Sequence, residues 1–173
     1  MILSGMEIKR QYELGNIYIS DFDEKRLGPN SYNLRLDNKL LVYTNPILDM
    51  KKDNPVEEII IPEEGYILEP GRLYLGKTME YTKSGNFAPM IEGRSSVARL
   101  GIKVHLTAGF GDVGNELAWT LEIEASKHVR IYAGVEICQI YYHTILGDTS
   151  IKYNGKYQKS TDIGPSKMYK DFK

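Results

Sequence analysis

The sequence predicts a mainly β fold. It would be a sandwich or barrel of short strands, with one helix near the N-terminus and a second, short helix after the turn Gly93-Arg94-Ser95-Ser96. Three observations carry this reading. Short apolar or alternating runs recur roughly every eight to twelve residues, the spacing of antiparallel β domains. Glycine and proline punctuate them, as at Gly28-Pro29, Pro62 and Pro70-Gly71. Helical periodicity is confined to two brief stretches. At 173 residues the chain is read as one domain, 1–173, with enough length for a sizeable core. Within it, 149–173 is a polar tail.

The elements follow in order. Ser4 and Glu7 have capping-box spacing, Ile8, Tyr12 and Leu14 fall near one helical face, and Gly15 is a natural stop. Ile17 to Ile19 reads as a short strand, Gly28 to Ser31 as a turn, and Tyr32 to Leu36 as an alternating, half-buried strand. Leu40 to Tyr43 continues in strand fashion. The stretch 45–56, with Pro46, Pro55 and a charged run from Asp49, reads as an exposed loop. Val56 to Ile61, Tyr66 to Leu68 and Leu73 to Leu75 are further strands, and Thr78 to Tyr81 reads as a helical turn or loop. Phe87 to Ile91 is a strand that feeds the Gly93 turn. Ser95 or Ser96 can cap the short helix, and Gly101 suits the position past its end. Trp119 to Ala125 alternates cleanly, with Trp119, Leu121 and Ile123 on one face and Thr120, Glu122 and Glu124 on the other. Val129 to Tyr132 and Val135 to His143, around Ala133-Gly134, read as a final hairpin.

Composition excludes several functions. Net charge is −1 with no long basic block, so a nucleic-acid polymer is not an expected partner. No apolar run approaches membrane-spanning length, and Met1 to Gly5 lacks signal-peptide character, so a cytoplasmic location and no membrane partner are expected. Cys138 is the one cysteine, which rules out an intramolecular disulfide and a multi-cysteine zinc site. In its apolar run it reads as a buried, inert thiol.

Two stretches carry candidate chemistry. In 92–101, backbone N–H groups at a helix start, two hydroxyls, Arg94 and Arg99 make an anion site suited to phosphate. The same residues also fit a capped surface turn with solvated arginines. In 107–114, three glycines allow close backbone approach to a ligand, Ala108 and Gly109 leave room beside a flat ring, and Asp112 can accept from a sugar hydroxyl. That loop also fits a hairpin in which Asp112 caps a turn. Pattern alone makes Glu122 no better a candidate than Glu124. His105, His128 and His143 share no metal-ligand spacing and read as surface or packed residues.

The run Gly93 to Gly101, then Val104 to Gly109, Asp112-Val113-Gly114 and Thr120-Leu121-Glu122, resembles the dCTP deaminase family, in the family's order and over most of the chain. The resemblance implies a dUTPase-like distorted β-barrel or jelly roll, assembled as a homotrimer with sites between subunits. It implies hydrolytic deamination of dCTP to dUTP and ammonia, with Glu122 of the Thr-Leu-Glu motif as proton shuttle. Ser95 would hold the water or leaving group, and Arg99 would steady charge on the ring. Arg94, Ser96, Val97, Ala98, Ala108, Asp112, Thr120, Leu121 and Gln139 are the implied substrate contacts. Tyr153, Lys156 and Gln158 match a C-terminal segment that closes over the triphosphate. Mg²⁺ would arrive on that triphosphate, no zinc is implied, and dTTP is the implied feedback inhibitor. Three alternatives stay open: a dUTPase, a bifunctional enzyme releasing dUMP, and a silent nucleotide sensor. Two departures stand out. Asn33 occupies a position where an acid is usual, and Gly111 to Leu117 lacks the proline, the aromatic and the last glycine of the family's loop, with Asn115 in the aromatic's place.

Overall fold

A computed structural model describes residues 1–172. Helix α1 (Gly5–Glu13) is followed by β1 (Tyr18–Ile19), β2 (Tyr32–Arg35), β3 (Lys39–Tyr43), β4 (Val56–Ile60), β5 (Tyr66–Leu68), β6 (Tyr74–Lys83) and β7 (Phe87–Gly93). Then come α2 (Ser95–Ala98), β8 (Ile102–Lys103), β9 (Glu116–Ala125), β10 (Val129–Ile131) and β11 (Glu136–Thr144). The larger sheet runs β4-β3-β6-β9-β8, with β1 also on β6; a second runs β2-β11-β7; β5 and β10 form a separate pair. All the strand pairs are antiparallel. Leu34, Ile91, Ile140 and Tyr142 of the smaller sheet share one core with Leu40, Tyr74, Leu121 and Ile123 of the larger. The fold is therefore the mainly β one expected.

Four local expectations need correction. First, α1 is capped by Ser4, which accepts from Glu7 N, but it buries Gly5, Ile8 and Gln11, while Leu14 is exposed. Second, Thr78 to Tyr81 is strand, part of the ten-residue β6. The register of β6 against β9 slips between Lys77 and Tyr81, and Thr78, Glu80 and Thr82 point inward there. Thr78 Oγ1 donates to the Glu80 carbonyl (2.8 Å) and accepts from Trp119 N (3.0 Å). Polar side chains turned inward by a bulge hide the strand from a search for alternating apolar residues.

Third, no final hairpin forms. β10 pairs with β5, whereas β11 pairs with β2 and β7. The chain changes sheets at Ala133-Gly134. There Gly134 N donates to the Leu36 carbonyl, and φ of +78° suits a residue without Cβ. Fourth, the cap residue of α2 is Arg94, with no side-chain cap bond, so neither Ser95 nor Ser96 spends its hydroxyl there.

Glu80, fully buried, ties the two sheets together. It accepts from Arg35 N (2.8 Å), from Arg35 Nε (2.7 Å) and from the buried Arg26 guanidinium. Removing the carboxylate would leave Arg26 as an uncompensated buried charge. Glu80→Ala should therefore lose about 3–5 kcal/mol, read as a fall in melting temperature of roughly 10 °C. A loss below about 1 kcal/mol would mean that Arg26 reaches water without it.

Candidate active site

β9 turns Leu121 and Ile123 to the core and Thr120 and Glu122 to a cavity that Leu117, Ala118 and Trp119 also line. Leu117, Trp119, Leu121 and Ile123 are buried, while Thr120, Glu122 and Glu124 are half-buried on the other face. The cavity has a volume of about 580 Å³. Ala108, Asp112 and Asn115 of the preceding loop form a second wall, and Tyr153 and Tyr157 of the tail a third. The loop is held down on β7. Gly109 O accepts from Ile91 N and Gly111 N donates to Pro89 O, both at 2.8 Å. A Cβ on Gly109 would sit 2.6 Å from the Ile91 carbonyl oxygen, so no larger residue fits. Asp112 O accepts from Asn115 N (3.0 Å) and closes a turn ahead of β9.

The structure separates the two glutamates that pattern left equal. Glu124 is paired with Lys103 at 3.2 Å. Glu122 lines the cavity, and its Oε2 accepts from Leu106 N at 3.3 Å. Its neighbour Leu121 is 1 % exposed and lies in the core. Tyr43, Leu75 and Trp119 also line the cavity. No motif marks them, and alternation identifies Trp119 only as core; its indole N–H donates to Thr82 Oγ1 (3.0 Å).

The arginine turn is elsewhere. None of residues 94–99 lines this cavity. Ser95, Ser96, Ala98 and Arg99 are exposed, and Val97 packs partly against the core. Arg94 is held by Glu136, at 3.1 Å from its carboxylate and 3.0 Å from its carbonyl oxygen. Gln139 accepts from Ser31 Oγ (3.0 Å) and lies in register with Glu92 and Asn33. His105 Nε2 is 3.3 Å from Glu92 Oε2. Cys138 is buried, and burial pushes its thiol pKa up, away from nucleophilic use. Among the described residues no three His, Cys, Asp or Glu side chains gather as a metal site.

The tail is strapped to the body of the chain. Lys159 N donates to Glu116 O and Ala118 N to Ser160 O, so the tail runs along the start of β9. Gln158 accepts from Glu116 N (3.1 Å) and donates to Gly114 O (2.8 Å), fastening tail to loop rather than facing the cavity. Lys156 pairs with Asp171 at 2.5 Å. Ile163 is buried with Leu41 and Leu75, Asp162 meets Lys39 at 3.1 Å, and Tyr43 OH accepts from Ser166 N at 2.9 Å.

Comparison with known proteins decides what this arrangement belongs to. The sequence pattern of the family described as dCTP deaminase-like matches residues 2–145. The chain belongs to the dCTP deaminase-like family. It is 57% identical to a protein of Clostridium acetobutylicum named dCTP deaminase, dUMP-forming, over 99% of both chains. A protein of the same name from Cytophaga hutchinsonii is 60% identical, again over 99% of both. The fold matches a crystal structure of 2′-deoxycytidine 5′-triphosphate deaminase from Agrobacterium tumefaciens, with TM-score 0.65 at 20% identity over 82% of this chain. The match spans about half (47%) of that solved chain. No helix among the described residues is long and apolar enough to cross a membrane.

The strap yields a pH prediction for this family member. The Ile163 N–H, and then Lys39, hold the Asp162 carboxyl below its ordinary value of 3.8. A lowered carboxylate stabilises fully above the unfolded value and stops doing so as pH falls through the folded one. Hydrogen-exchange protection of residues 153–166 should therefore be flat from neutral pH down to about 5 and weaken below 3.8, the other anchors of the tail remaining. Asp162→Ala should show the weakened protection already at neutral pH. Equal protection in that variant would remove the ion pair from the strap.

Proposed function

We propose that this chain converts dCTP and two waters to dUMP, ammonia and diphosphate, working in the cytoplasm as a homotrimer. Deamination at cytosine C4 comes first, and cleavage between the α and β phosphates follows. The observation that carries this is Glu122, the one β9 glutamate in the cavity, with the Leu106 N–H on its oxygen. Release of dUTP is the simplest expectation from the motifs; the dUMP-forming relatives in Clostridium acetobutylicum and Cytophaga hutchinsonii support dUMP instead.

Water is a poor nucleophile, so a base must take its proton as it attacks C4. Glu122 takes that proton and gives it to ring N3, then takes the proton of the new C4 hydroxyl and gives it to the amine, which leaves as ammonia. With Cys138 the sole cysteine, the chain lacks the cysteine pair of the zinc deaminases, which supports a carboxylate in this role. Ser95 holds the water or leaving group, and Arg99 steadies charge on the ring. Among the described residues the cavity lining includes no Lys or Arg, yet the substrate carries a triphosphate. That supports a site completed by a neighbouring subunit. Residues 94–99 of one copy, flanked by the exposed Leu100 (58 %) and Leu106 (46 %), would face the cavity of the next. Arg94, Ser96, Val97, Ala98 and Gln139 join the site from that side, with Tyr153, Lys156 and Gln158 from the tail. Magnesium suits this chemistry because it takes oxygen ligands from substrate phosphates rather than from a dedicated protein cage. It would neutralise charge on the triphosphate when bound, while Asp112 accepts from the sugar hydroxyl. dTTP, with no amine to lose, would occupy the same cavity as inhibitor.

Incubation with dCTP and Mg²⁺ should yield dUMP on chromatography; dUTP as the end product would confine the activity to deamination. Glu122→Gln should lower kcat by about 10²–10⁴-fold while calorimetry still detects dCTP. Normal turnover by that variant would remove Glu122 from the chemistry.

A further inference from the structure

The start of the tail is pinned at two points. Tyr153 N donates to Val113 O (2.8 Å), while the Gln158 side chain accepts from Glu116 N (3.1 Å) and donates to Gly114 O (2.8 Å). Between the pins Gln158 N donates to Gly155 O (3.1 Å) and closes a turn. The Tyr153 ring, which lines the Glu122 cavity, lies close over Gly155: a Cβ there would sit 2.5 Å from the ring hydroxyl. This stretch has no slack for an added backbone atom. At its centre is Asn154, the one asparagine of nine that precedes a glycine. Both residues are exposed. Neither the Asn154 carboxamide nor the Gly155 N–H is engaged by another described residue. Glycine has no Cβ to shield its nitrogen and leaves the backbone free to turn toward the preceding side chain.

From these facts we infer that Asn154-Gly155 is a site of self-modification, where asparagine converts to isoaspartate and loosens the tail from the cavity. Hydroxide from solvent removes the Gly155 amide proton, and the nitrogen attacks Asn154 Cγ. The new N–Cγ bond closes a cyclic imide, the Cγ–Nδ2 bond breaks, and the amide nitrogen leaves as ammonia with a proton from water. Water then opens the imide. Where it breaks the bond from the Gly155 nitrogen to the Asn154 main-chain carbonyl carbon, the chain runs on through Cβ and Cγ as isoaspartate, one methylene longer and one negative charge richer. That methylene falls between the two pins, under the Tyr153 ring. The charge falls two residues from Lys156, the phosphate contact of the proposed function. The effect on nucleotide rests on that reading; the modification itself does not.

The test ages the purified full chain in mildly alkaline buffer at physiological temperature and follows it by peptide mass spectrometry. The Asn154 peptide should exchange the mass of an NH₂ for that of an OH, and an isoaspartyl carboxyl methyltransferase should label it. Asn154→Gln, aged alongside, should do neither, because its longer side chain closes the ring poorly. Hydrogen-exchange protection at the Tyr153 and Gln158 amides should fall in the aged chain. It should hold in aged Asn154→Gln and in fresh Asn154→Asp, which carries the charge without the extra atom. Calorimetric Kd for dCTP should weaken about tenfold on ageing, through a displaced Tyr153 and a like charge beside the phosphates. An Asn154 peptide that changes no faster than the other asparagine peptides overturns the inference. So does unchanged protection in the isoaspartyl chain, an equal loss of protection in Asn154→Asp, or an unchanged Kd in a chain that binds dCTP when fresh. A fresh chain that fails to bind dCTP sinks the proposed reaction alone, because mass and exchange still report on the turn.

Discussion

Burial of Leu117, Trp119, Leu121 and Ile123 decides where every other side chain of β9 points. A strand has period two, so a slip of one residue would bury Glu122 and expose its apolar neighbours. The larger sheet prevents that slip. Tyr74 to Lys77 pair with Ile123 to Thr120 on one side, and Lys103 pairs with Glu124 on the other. Glu122 is thus held at the cavity by hydrophobic burial one residue away on either side, not by contacts of its own. Its one hydrogen bond among the described residues, from Leu106 N, is a light tether that would suit the proton carrier proposed above.

The same logic extends to the loop in front of β9. Its glycines let the backbone press against Ile91 and Pro89 of β7, and this brings Asp112 and Asn115 to the cavity mouth. β7 is locked in turn to β11 over seven register pairs from Thr144 to Cys138. The site therefore hangs between the two sheets. The bond between them passes through Glu80, whose position in the bulge of β6 joins Arg35 of β2 to Arg26. An ionised carboxylate fully removed from water is tolerable only with that many charge-assisted donors.

Much of this was legible in the residues. The alternation from Trp119 to Ala125 fixed the facing of Glu122, and Gly/Pro spacing gave the all-β class, because both depend on local periodicity alone. What was not legible depends on pairing across the chain. The partner of Val129 to Ile131 is Tyr66 to Leu68, some sixty residues earlier, and no feature of Ala133-Gly134 distinguishes a sheet change from a hairpin. Thr78, Glu80 and Thr82 look like loop residues because their partners, Trp119, Arg26 and Leu117, are remote in sequence. Glu122 and Glu124 are alike in pattern and become different through remote neighbours, Lys103 on Glu124 and the cavity with Leu106 N on Glu122. The tail reads only as polar because its anchors, Lys39, Tyr43 and Leu75, lie about a hundred residues away.

On the proposed function, the charges around the cavity bear on how a triphosphate would be held. Glu122 and Asp112 line it, and among the described residues no cation does. The chain's cations closest to the candidate motifs are occupied or turned away: Arg94 on Glu136, Lys156 on Asp171, Arg99 on the exposed single turn α2. One turn of helix adds little dipole, so α2 has only Arg99 and two uncommitted serines to offer an anion. Arg99 and Lys156 are at the surface in positions where ion pairs are weak and readily exchanged. A phosphate chain offering several charge-assisted bonds at once outcompetes such a pair. Binding would thus draw Lys156 from Asp171 and α2 of a neighbouring copy toward the cavity mouth. The acid-lined interior is left for the donor groups of base and sugar. The polarity of the substrate, donors at one end and acceptors at the other, then dictates which end enters first.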